Sequence, residues 1–298
     1  MEMAPIVLFA YNRPWHTEQT LQSLAKNVLA SETELIVYVD GPKQDASAEQ
    51  LANVEKVREL VKRQTWCKEL TIHIAESNQG LANSIIRGVT ETLKKHDRLI
   101  VLEDDMILSP YFLQYMNEAL EKYADCEDVV SIHGYCVPIN YSSPIFFLRG
   151  ADCWGWATWK RGWKLFNPDA QFLMKELNEK KLLYDFDFNG GYQYTKMLQY
   201  QIEGKVDSWA IRWYASAYIQ NKLTLYPSKS LVRNIGGDGS GTHVNDKHLS
   251  SGYLNNFKTP LPDIPIKESK EARLLIGQHY FKGLGVKHKL KKILKWGY

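Results

Sequence analysis

The sequence has few of the features that mark secreted or membrane-spanning proteins. Its four cysteines include no CxxC pair and no zinc-ligand spacing, so we expect free thiols in a reducing compartment rather than a disulfide framework: Cys67, Cys126, Cys136 and Cys153. No run of about 18 apolar residues is present, and the first residues show no signal-peptide pattern. We therefore expect a cytoplasmic protein.

Charge of one sign does not dominate the chain. The formal net charge is +3, but the segment after Ala272 contains seven Lys and Arg residues and no Asp or Glu. The rest of the sequence is mildly acidic, and this excludes the broad basic surface that is typical of nucleic-acid-binding proteins. Hydrophobic residues make up 44% and charged residues 24%, which suits a globular domain with a sizeable core.

The first half of the chain alternates between predicted strands and predicted helices. Short apolar runs predict strands at residues 5–11, 35–39, 70–75 and 99–102, and helical patterns follow the first three at residues 14–29, 46–63 and 80–95. This alternation is typical of an α/β fold with a mainly parallel sheet flanked by helices.

The second half is less regular. We expect strands near residues 129–133, 146–149, 223–226 and 230–233, and helices near residues 172–183, 192–203 and 208–220. Between them, the segment CWGWATWKRGW at residues 153–163 places four tryptophans within eleven residues. Its aromatic rings could stack on sugar rings or pack in the core.

Polar residues follow three of the predicted parallel strands: Asn12-Arg13, Asp40-Gly41 and Glu103-Asp104-Asp105. Ligands bind α/β sheets at the carboxyl ends of their strands, and carboxylate oxygens suit a divalent cation beside a diphosphate. The alternative for Glu103-Asp104-Asp105 is a solvated acidic turn or a helix cap, because Ser109-Pro110 begins a helix soon afterwards.

The segment Leu99–Tyr115 resembles the N-acetylglucosaminyltransferase I family, a group of inverting transferases with the GT-A fold. Shorter matches in the same order extend the resemblance over about residues 5–245: residues 11–13, Asp40, residues 153–156, residues 206–209 and residues 240–243. Asn78-Gln79-Gly80 also resembles bacterial family-2-type transferases.

The resemblance implies a GT-A-like catalytic domain over residues 1–245 and a C-terminal appendage over residues 246–298. It implies that Asp105 and His243 bind Mn²⁺ or Mg²⁺ and that Asp207 is the general base. It also implies a donor site formed by Asn12, Arg13, Asp40, Asn78, Ser84, Asp104, Trp154 and Trp156. The family has a histidine on the helix after the third strand. This sequence has no histidine at that position, and Ser84 is the nearest residue to it.

Three of these roles have plain structural alternatives. Asp207 precedes a predicted helix and could be its N-cap, although Trp209 and Trp213 could instead exclude water from it and raise its pKa. We expect Trp154 and Trp156 to line the site and Trp159 and Trp163 to pack in the core. His243 could complete the metal shell, close over the donor, or be an exposed loop residue.

The predicted activity is transfer of a sugar from a nucleoside diphosphate sugar, with a UDP-sugar favoured, to a hydroxyl of a glycan, a lipid-linked molecule or a protein. The reaction would need a metal ion bound by Asp105, and inversion would use Asp207 as the general base. Two alternatives remain: a nucleotidyltransferase, disfavoured because no glycine-rich loop follows the first strand, and a sugar-nucleotide or carbohydrate-binding protein without transferase activity.

The basic C-terminal residues 282–298 have two interpretations. Leu290, Ile293 and Leu294 fall on one face of a possible helix among lysines, which suits peripheral contact with the inner face of an anionic membrane. The same apolar stripe could instead dock on the catalytic domain or on a second subunit of a homo-oligomer.

Overall fold

The computed structural model describes residues 2–240 and 253–283. Its strands are β1 (Ile6–Ala10), β2 (Glu34–Val39), β3 (Glu69–Ile74), β4 (Arg98–Glu103), β5 (Met106–Leu108), β6 (Val129–His133), β7 (Ile145–Arg149), β8 (Trp156–Trp159), β9 (Leu223–Pro227) and β10 (Val232–Asn234). Its helices are α1 (Pro14–Ala25), α2 (Ala48–Lys62), α3 (Leu81–Lys95), α4 (Phe112–Lys122), α5 (Lys160–Trp163), α6 (Ala170–Glu179), α7 (Leu183–Phe186), α8 (Tyr194–Ile202), α9 (Trp209–Ile219) and α10 (Lys270–Gly283).

Eight strands form one mixed sheet in the order β3-β2-β1-β4-β8-β6-β9-β7. The pairs β2–β3, β1–β2, β1–β4 and β6–β9 are parallel, whereas β8 is antiparallel to both of its neighbours and β7 is antiparallel to β9. A separate antiparallel pair joins β10 to β5. The mixed, mainly parallel sheet with flanking helices confirms the predicted fold class.

Local sequence explains where several elements begin. Pro14 occupies the first turn of α1, where its missing N–H costs nothing. Ser47 and Gln50 form a capping box at the start of α2. Strand β1 is an unbroken apolar run because both faces of the sheet are covered.

The core has two parts, one on each face of the sheet. The larger part includes the apolar side of α4 and apolar residues of β6, β7 and β9. The smaller part lies under α3 and α9, where Trp156, Trp163, Trp209 and Trp213 pack together with ring centroids 5.2–6.0 Å apart. These rings hold α9 against the sheet.

Residues 253–283 pack on the rest of the described chain. Ser269 N donates to Phe147 O at 2.9 Å, and Ala272 and Ile276 of α10 are buried in the larger core. The predicted appendage therefore contributes to the same core through α10. The predicted boundary at residue 245 and most of the basic tail lie outside the described residues.

In the described part of the chain, no helix combines the length and the apolar character needed to cross a membrane. All four cysteines are free, as predicted. Two strands were not predicted: β5, which is only three residues long, and β8, which lies within the tryptophan-rich segment.

Candidate functional site

The strand order reverses between β1 and β4. The chain runs outwards from β1 to β2 and β3 on one side, and β4 then pairs with β1 on the other side. Asn12 and Arg13 follow β1, and Asp104 and Asp105 follow β4, so these residues meet at the carboxyl edge where the sheet splits. Such a switch point is the usual ligand crevice of an open α/β sheet.

Arg13 is paired with two carboxylates at this crevice. Its Nη2 contacts Asp104 Oδ1 and lies 2.9 Å from Asp105 Oδ2, and its Nε lies 3.4 Å from Asp104 Oδ2. All three side chains are largely buried. Among the described residues, the buried Nη1 of Arg13 has no hydrogen-bond partner. This orphaned donor suits an anionic oxygen, because a buried N–H without a partner is costly.

Two neighbouring elements hold the carboxylates in place. Thr20 Oγ1 donates to Asp104 O at 2.8 Å and accepts from Met106 N at 3.0 Å, which ties the turn to α1. On the other side, Ile235 N donates to Asp105 O at 2.8 Å and Asn234 Nδ2 lies 3.3 Å from Asp105 Oδ1. The chain after β10 therefore covers the acidic turn.

Burial and mutual repulsion shift the titration of this cluster. Burial raises the pKa of Asp105, against the opposing effect of Arg13. Burial, followed by the charges of Asp105 and Asp104, raises the pKa of Glu103 to about 8. Burial lowers the pKa of Arg13, but the two aspartates outweigh it and hold that pKa above its ordinary value. The cluster therefore contains three carboxyl groups and only one arginine to balance them.

Asp40 fixes the neighbouring loop. Its carboxylate accepts hydrogen bonds of 2.8–3.1 Å from Gly41 N, Gln79 N, Gly80 N and Asn78 Nδ2. About four lone-pair positions are available to a carboxylate, so contact with a base would cost one of these bonds. Asn78 also donates to Gly41 O at 3.0 Å. Asp40 and Asn78 therefore join the loop after β2 to the loop after β3. Ser84 is buried in the first turn of α3.

One histidine at this crevice was not predicted from the sequence. His16 lies on the first turn of α1, three residues after Arg13, and is buried. Its Nε2 is 3.1 Å from Asp238 Oδ2 in the turn Gly236–Asp238. The helical i, i+3 spacing of Arg13 and His16 was the available signal. Trp15, which is 58% exposed, stands edge-on against the His16 ring.

The structure corrects the prediction for one of the two tryptophans. Trp156 has no exposed surface, because in β8 its side chain points into the core beneath α9. A ring without an exposed face cannot stack on a donor. Trp154, in contrast, is half-buried and packs edge-on against Tyr135 at a centroid distance of 4.7 Å. Trp159 and Trp163 are core residues, as predicted.

Asp207 lies at the same edge of the sheet as the acidic turn. Helix α9 leads directly into β9, and β9 runs in the same direction as β4, so the N-terminal end of α9 faces the carboxyl edge. The N-cap of α9 is Ser208, not Asp207. Asp207 is 57% exposed and pairs with Arg212 at 2.8 Å. Trp209 and Trp213 do not shield it, because both are buried in the core.

Two predicted features lie beyond what the structure describes. His243 falls outside the described residues, so its predicted place in the metal shell stays a prediction. Within the described residues, no group of three or more His, Cys, Asp or Glu side chains forms a metal-binding cluster. Asp104 and Asp105 are the carboxylates that this part of the chain brings together at the switch point.

Comparison with known proteins identifies the class. Residues 6–185 match glycosyl transferase family 2, and the chain belongs to that family. It therefore has the GT-A fold of that family; the finer resemblance to the N-acetylglucosaminyltransferase I family stays a prediction. No curated protein matches the chain.

The solved structures that resemble this chain share little sequence with it. TarS of S. aureus is 16% identical over 77% of this chain and 36% of its own, with a TM-score of 0.38. A UDP-glucose pyrophosphorylase complexed with UDP-glucose is 11% identical over 95% of this chain and 100% of its own, with a TM-score of 0.39. Mouse xyloside xylosyltransferase 1 is 10% identical over 75% and 97%, with a TM-score of 0.32. The chain thus spans about a third of the length of TarS.

Proposed function

We propose that this protein transfers a sugar from a UDP-sugar, with inversion, to a hydroxyl group of a glycan, lipid-linked or protein acceptor. The observation that carries the proposal is the convergence of Arg13, Asp104 and Asp105 at the switch point of a family 2 chain. A diphosphate needs cationic partners, and this cluster supplies a guanidinium with an unpaired Nη1 together with oxygen ligands for a metal ion.

The residues at the switch point fit Mn²⁺ or Mg²⁺. Magnesium sites often use one or two carboxylates together with substrate phosphates, so the absence of a third described ligand is compatible with a cation held jointly by protein and donor. Asp105 is the proposed protein ligand, and Asp104 holds Arg13 and faces the ribose. When bound, the cation would neutralise charge on the leaving diphosphate.

Asp207 is the proposed general base. Its carboxylate is accessible at the carboxyl edge, and Arg212 orients it from the next turn of α9. A base must reach the acceptor hydroxyl as that oxygen attacks the anomeric carbon, and an exposed carboxylate at a helix start can do so. The proton would pass from the hydroxyl to Asp207, while the nucleoside diphosphate leaves.

Calorimetry of UDP binding with and without Mn²⁺ tests the donor site. We expect binding that depends on the cation and that ADP or GDP does not reproduce. Incubation with a panel of nucleotide sugars, scored by released nucleoside diphosphate, then identifies the donor. Cation-independent binding without any hydrolysis or transfer would favour a sugar-nucleotide-binding protein, and pyrophosphate-dependent turnover would favour a nucleotidyltransferase.

A further inference from the structure

A second group of polar and aromatic side chains surrounds Asp152, beside the acidic turn. His133 ends β6 and pairs in the sheet with Trp156, which in turn pairs with Val101 of β4. Asp152 lies in the chain between β7 and β8, with Oδ2 3.7 Å from His133 Nε2 and 3.4 Å from Tyr226 Oη. The Asp152 group therefore sits at the carboxyl end of the sheet.

The group adjoins the proposed donor site. Burial raises the pKa of the Cys153 thiol, and the charges of Asp152, Glu103 and Asp105 raise it further. In the sheet, Trp156 of β8 lies between His133 at the end of β6 and Val101 of β4, two residues before Glu103, so the Asp152 group and the acidic turn lie at the same edge of the sheet. An acceptor bound near Asp152 would lie next to a donor held at Asp105.

Asp152 has hydrogen-bonding capacity that its described neighbours do not use. It is 29% exposed, and Oδ1 accepts one short bond, from Cys153 N at 2.8 Å. The contacts of Oδ2 at 3.4 and 3.7 Å are too long for good hydrogen bonds. A carboxylate oxygen in this position can still accept from a ligand hydroxyl.

His133 also lacks a hydrogen-bond partner among the described residues. It is completely buried, and within the described chain neither of its ring nitrogens makes a hydrogen bond. Burial lowers the pKa of His133, so the ring is neutral and has one donor and one acceptor nitrogen. A ligand hydroxyl on the exposed side of Asp152 would donate to its carboxylate, and the buried His133 ring lies behind Oδ2 at 3.7 Å.

Aromatic rings from three further segments pack on one another near Asp152, whose charge acts on Tyr194 and Tyr280. Trp154 packs on Tyr135, and Tyr192 lies 4.4 Å from Tyr194 and 4.8 Å from Tyr280 of α10 between ring centroids. Trp154, Tyr192, Tyr194 and Tyr280 are only partly buried. Aromatic faces beside a carboxylate match a pyranose, which has apolar C–H faces and hydroxyl edges.

We propose that Asp152, His133, Trp154 and the adjacent tyrosines form an acceptor subsite that binds an uncharged sugar ring. This inference rests on the proposed transferase function and names its acceptor class: a saccharide rather than a peptide hydroxyl. The named side chains carry one formal charge, the Asp152 carboxylate. An anionic ring such as a uronate would be repelled by it and by the nearby acidic turn.

Saturation-transfer NMR with simple glycosides tests the subsite directly. The probes are methyl hexopyranosides and methyl N-acetylhexosaminides, with methyl hexuronides as the anionic comparison. We expect signals on the ring protons of the neutral glycosides and weaker signals for the uronides. Asp152→Asn and Trp154→Ala should each weaken binding at least about tenfold, because each removes a charged hydrogen bond or a stacking face.

Matched controls separate a local effect from a folding effect. Asp125→Asn changes an exposed aspartate before β6, at the opposite edge of the sheet, and Phe172→Ala removes a ring that is 43% exposed on α6. Both should bind the glycosides like the unaltered protein. Near-UV circular dichroism checks the core of every variant, and UDP titration with Mn²⁺ should be unchanged in Asp152→Asn, Asp125→Asn and Phe172→Ala.

The outcomes distinguish the subsite from the transferase. Glycoside binding that depends on Asp152 and Trp154 supports the subsite, even if UDP does not bind and the transferase proposal fails. Intact UDP binding without neutral-glycoside signals overturns the subsite alone. Tighter uronide binding, or binding that neither substitution weakens, also overturns it. A loss of turnover in Asp152→Asn with unchanged glycoside binding would make Asp152 a proton acceptor instead.

Discussion

Asp105 is held by its neighbours in a way that leaves its chemistry open. Its backbone carbonyl is fixed by Ile235 N, while its side chain shares Arg13 with Asp104. The backbone contact secures the turn without using the carboxylate. A side chain with this arrangement can exchange its arginine for a cation without rebuilding the loop.

Removing that carboxylate should abolish activity while the protein stays folded. We expect Asp105→Ala to lose Mn²⁺-dependent UDP binding and turnover, because a strand-end carboxylate adds little to the core. Asp125→Ala, at the opposite edge, is the matched control. Full activity of Asp105→Ala with insensitivity to EDTA would remove the metal from the proposal.

Substitution of Asp207 should lower the rate of the chemical step more than the affinity for the donor. Asp207→Asn keeps the shape but cannot take a proton, so we expect kcat to fall by roughly 10² or more with UDP affinity preserved. Asp128→Asn is a suitable control, since Asp128 is also exposed and paired with a lysine at 3.4 Å. A fall in kcat of less than about fivefold would point to another carboxylate, with Asp152 and Asp238 as candidates.

At the scale of elements, the short turn Gly236–Asp238 packs over the acidic turn. Asp238 reaches His16 on α1, and Gly236 lies directly against Asp105. A Cβ at Gly236 would overlap Asp105 Oδ2 and lie 3.0 Å from Arg13 Nη1. The close approach requires glycine, and it couples the position of this turn to the carboxylate that would bind the cation.

Gly236→Ala should therefore disturb the site without unfolding the chain. The added methyl must displace either the Asp105 carboxylate or the turn, and we expect UDP affinity in Mn²⁺ to fall at least about tenfold, with a thermal midpoint within a few degrees of the original. UDP calorimetry and a melting curve provide both readouts. Unchanged affinity would mean that the turn moves away from Asp105 when the donor binds.

At the scale of the whole molecule, the buried acidic turn makes stability depend on pH. The pKa of Glu103 is raised from 4.5 to about 8, so the folded protein keeps a proton there that the unfolded chain releases above pH 4.5. The contribution of Glu103 to the free energy of unfolding is fully present below pH 4.5 and is lost as the pH rises towards about 8.

Glu103→Gln should remove this contribution. In EDTA, the thermal midpoint of the unaltered protein should fall between pH 6 and pH 8 relative to that of Glu103→Gln, whose side chain does not titrate. His133 has a lowered pKa and acts in the opposite direction, but it is present in both proteins and cancels. Parallel pH profiles for the two proteins would contradict the prediction.

The C-terminal tail is a second property of the whole chain. Because α10 is part of the core, a truncated chain should end at Gly283 rather than within that helix. If the tail binds membranes, the full chain should co-sediment with anionic vesicles at low salt and the truncated chain should stay in solution. The full chain remaining in solution would favour docking on the domain or on a second subunit.

The strands and helices around the acidic turn were largely predictable because their signals are local. Apolar runs predicted β1, β2, β3 and β4 within a residue or two, and the helical patterns placed α2, α3 and α9 nearly as well. Asp104 and Asp105 were predicted as site residues for the same reason: acids directly after a buried strand stand out in the sequence.

Other features depended on contacts between residues distant in the chain. The local sequence does not show that the side chain of Trp156 in β8 points into the core under α9. It also does not show that the Asp40 carboxylate accepts hydrogen bonds from the loop after β3, or that His16 contacts Asp238. The same holds for Asp152, which becomes part of a group only when β6, β9 and α10 come together.

The sequence by itself determined the alternating elements, the fold class and the acidic turn, because hydrophobic periodicity and strand-end residues act over a few neighbouring positions. Only the tertiary structure decided which polar groups are already satisfied and which still lack partners. That distinction depends on burial and hydrogen-bond geometry between residues that lie far apart in the chain, and it separates Asp40, which braces a loop, from Arg13, His133 and Asp152, which keep capacity for a ligand.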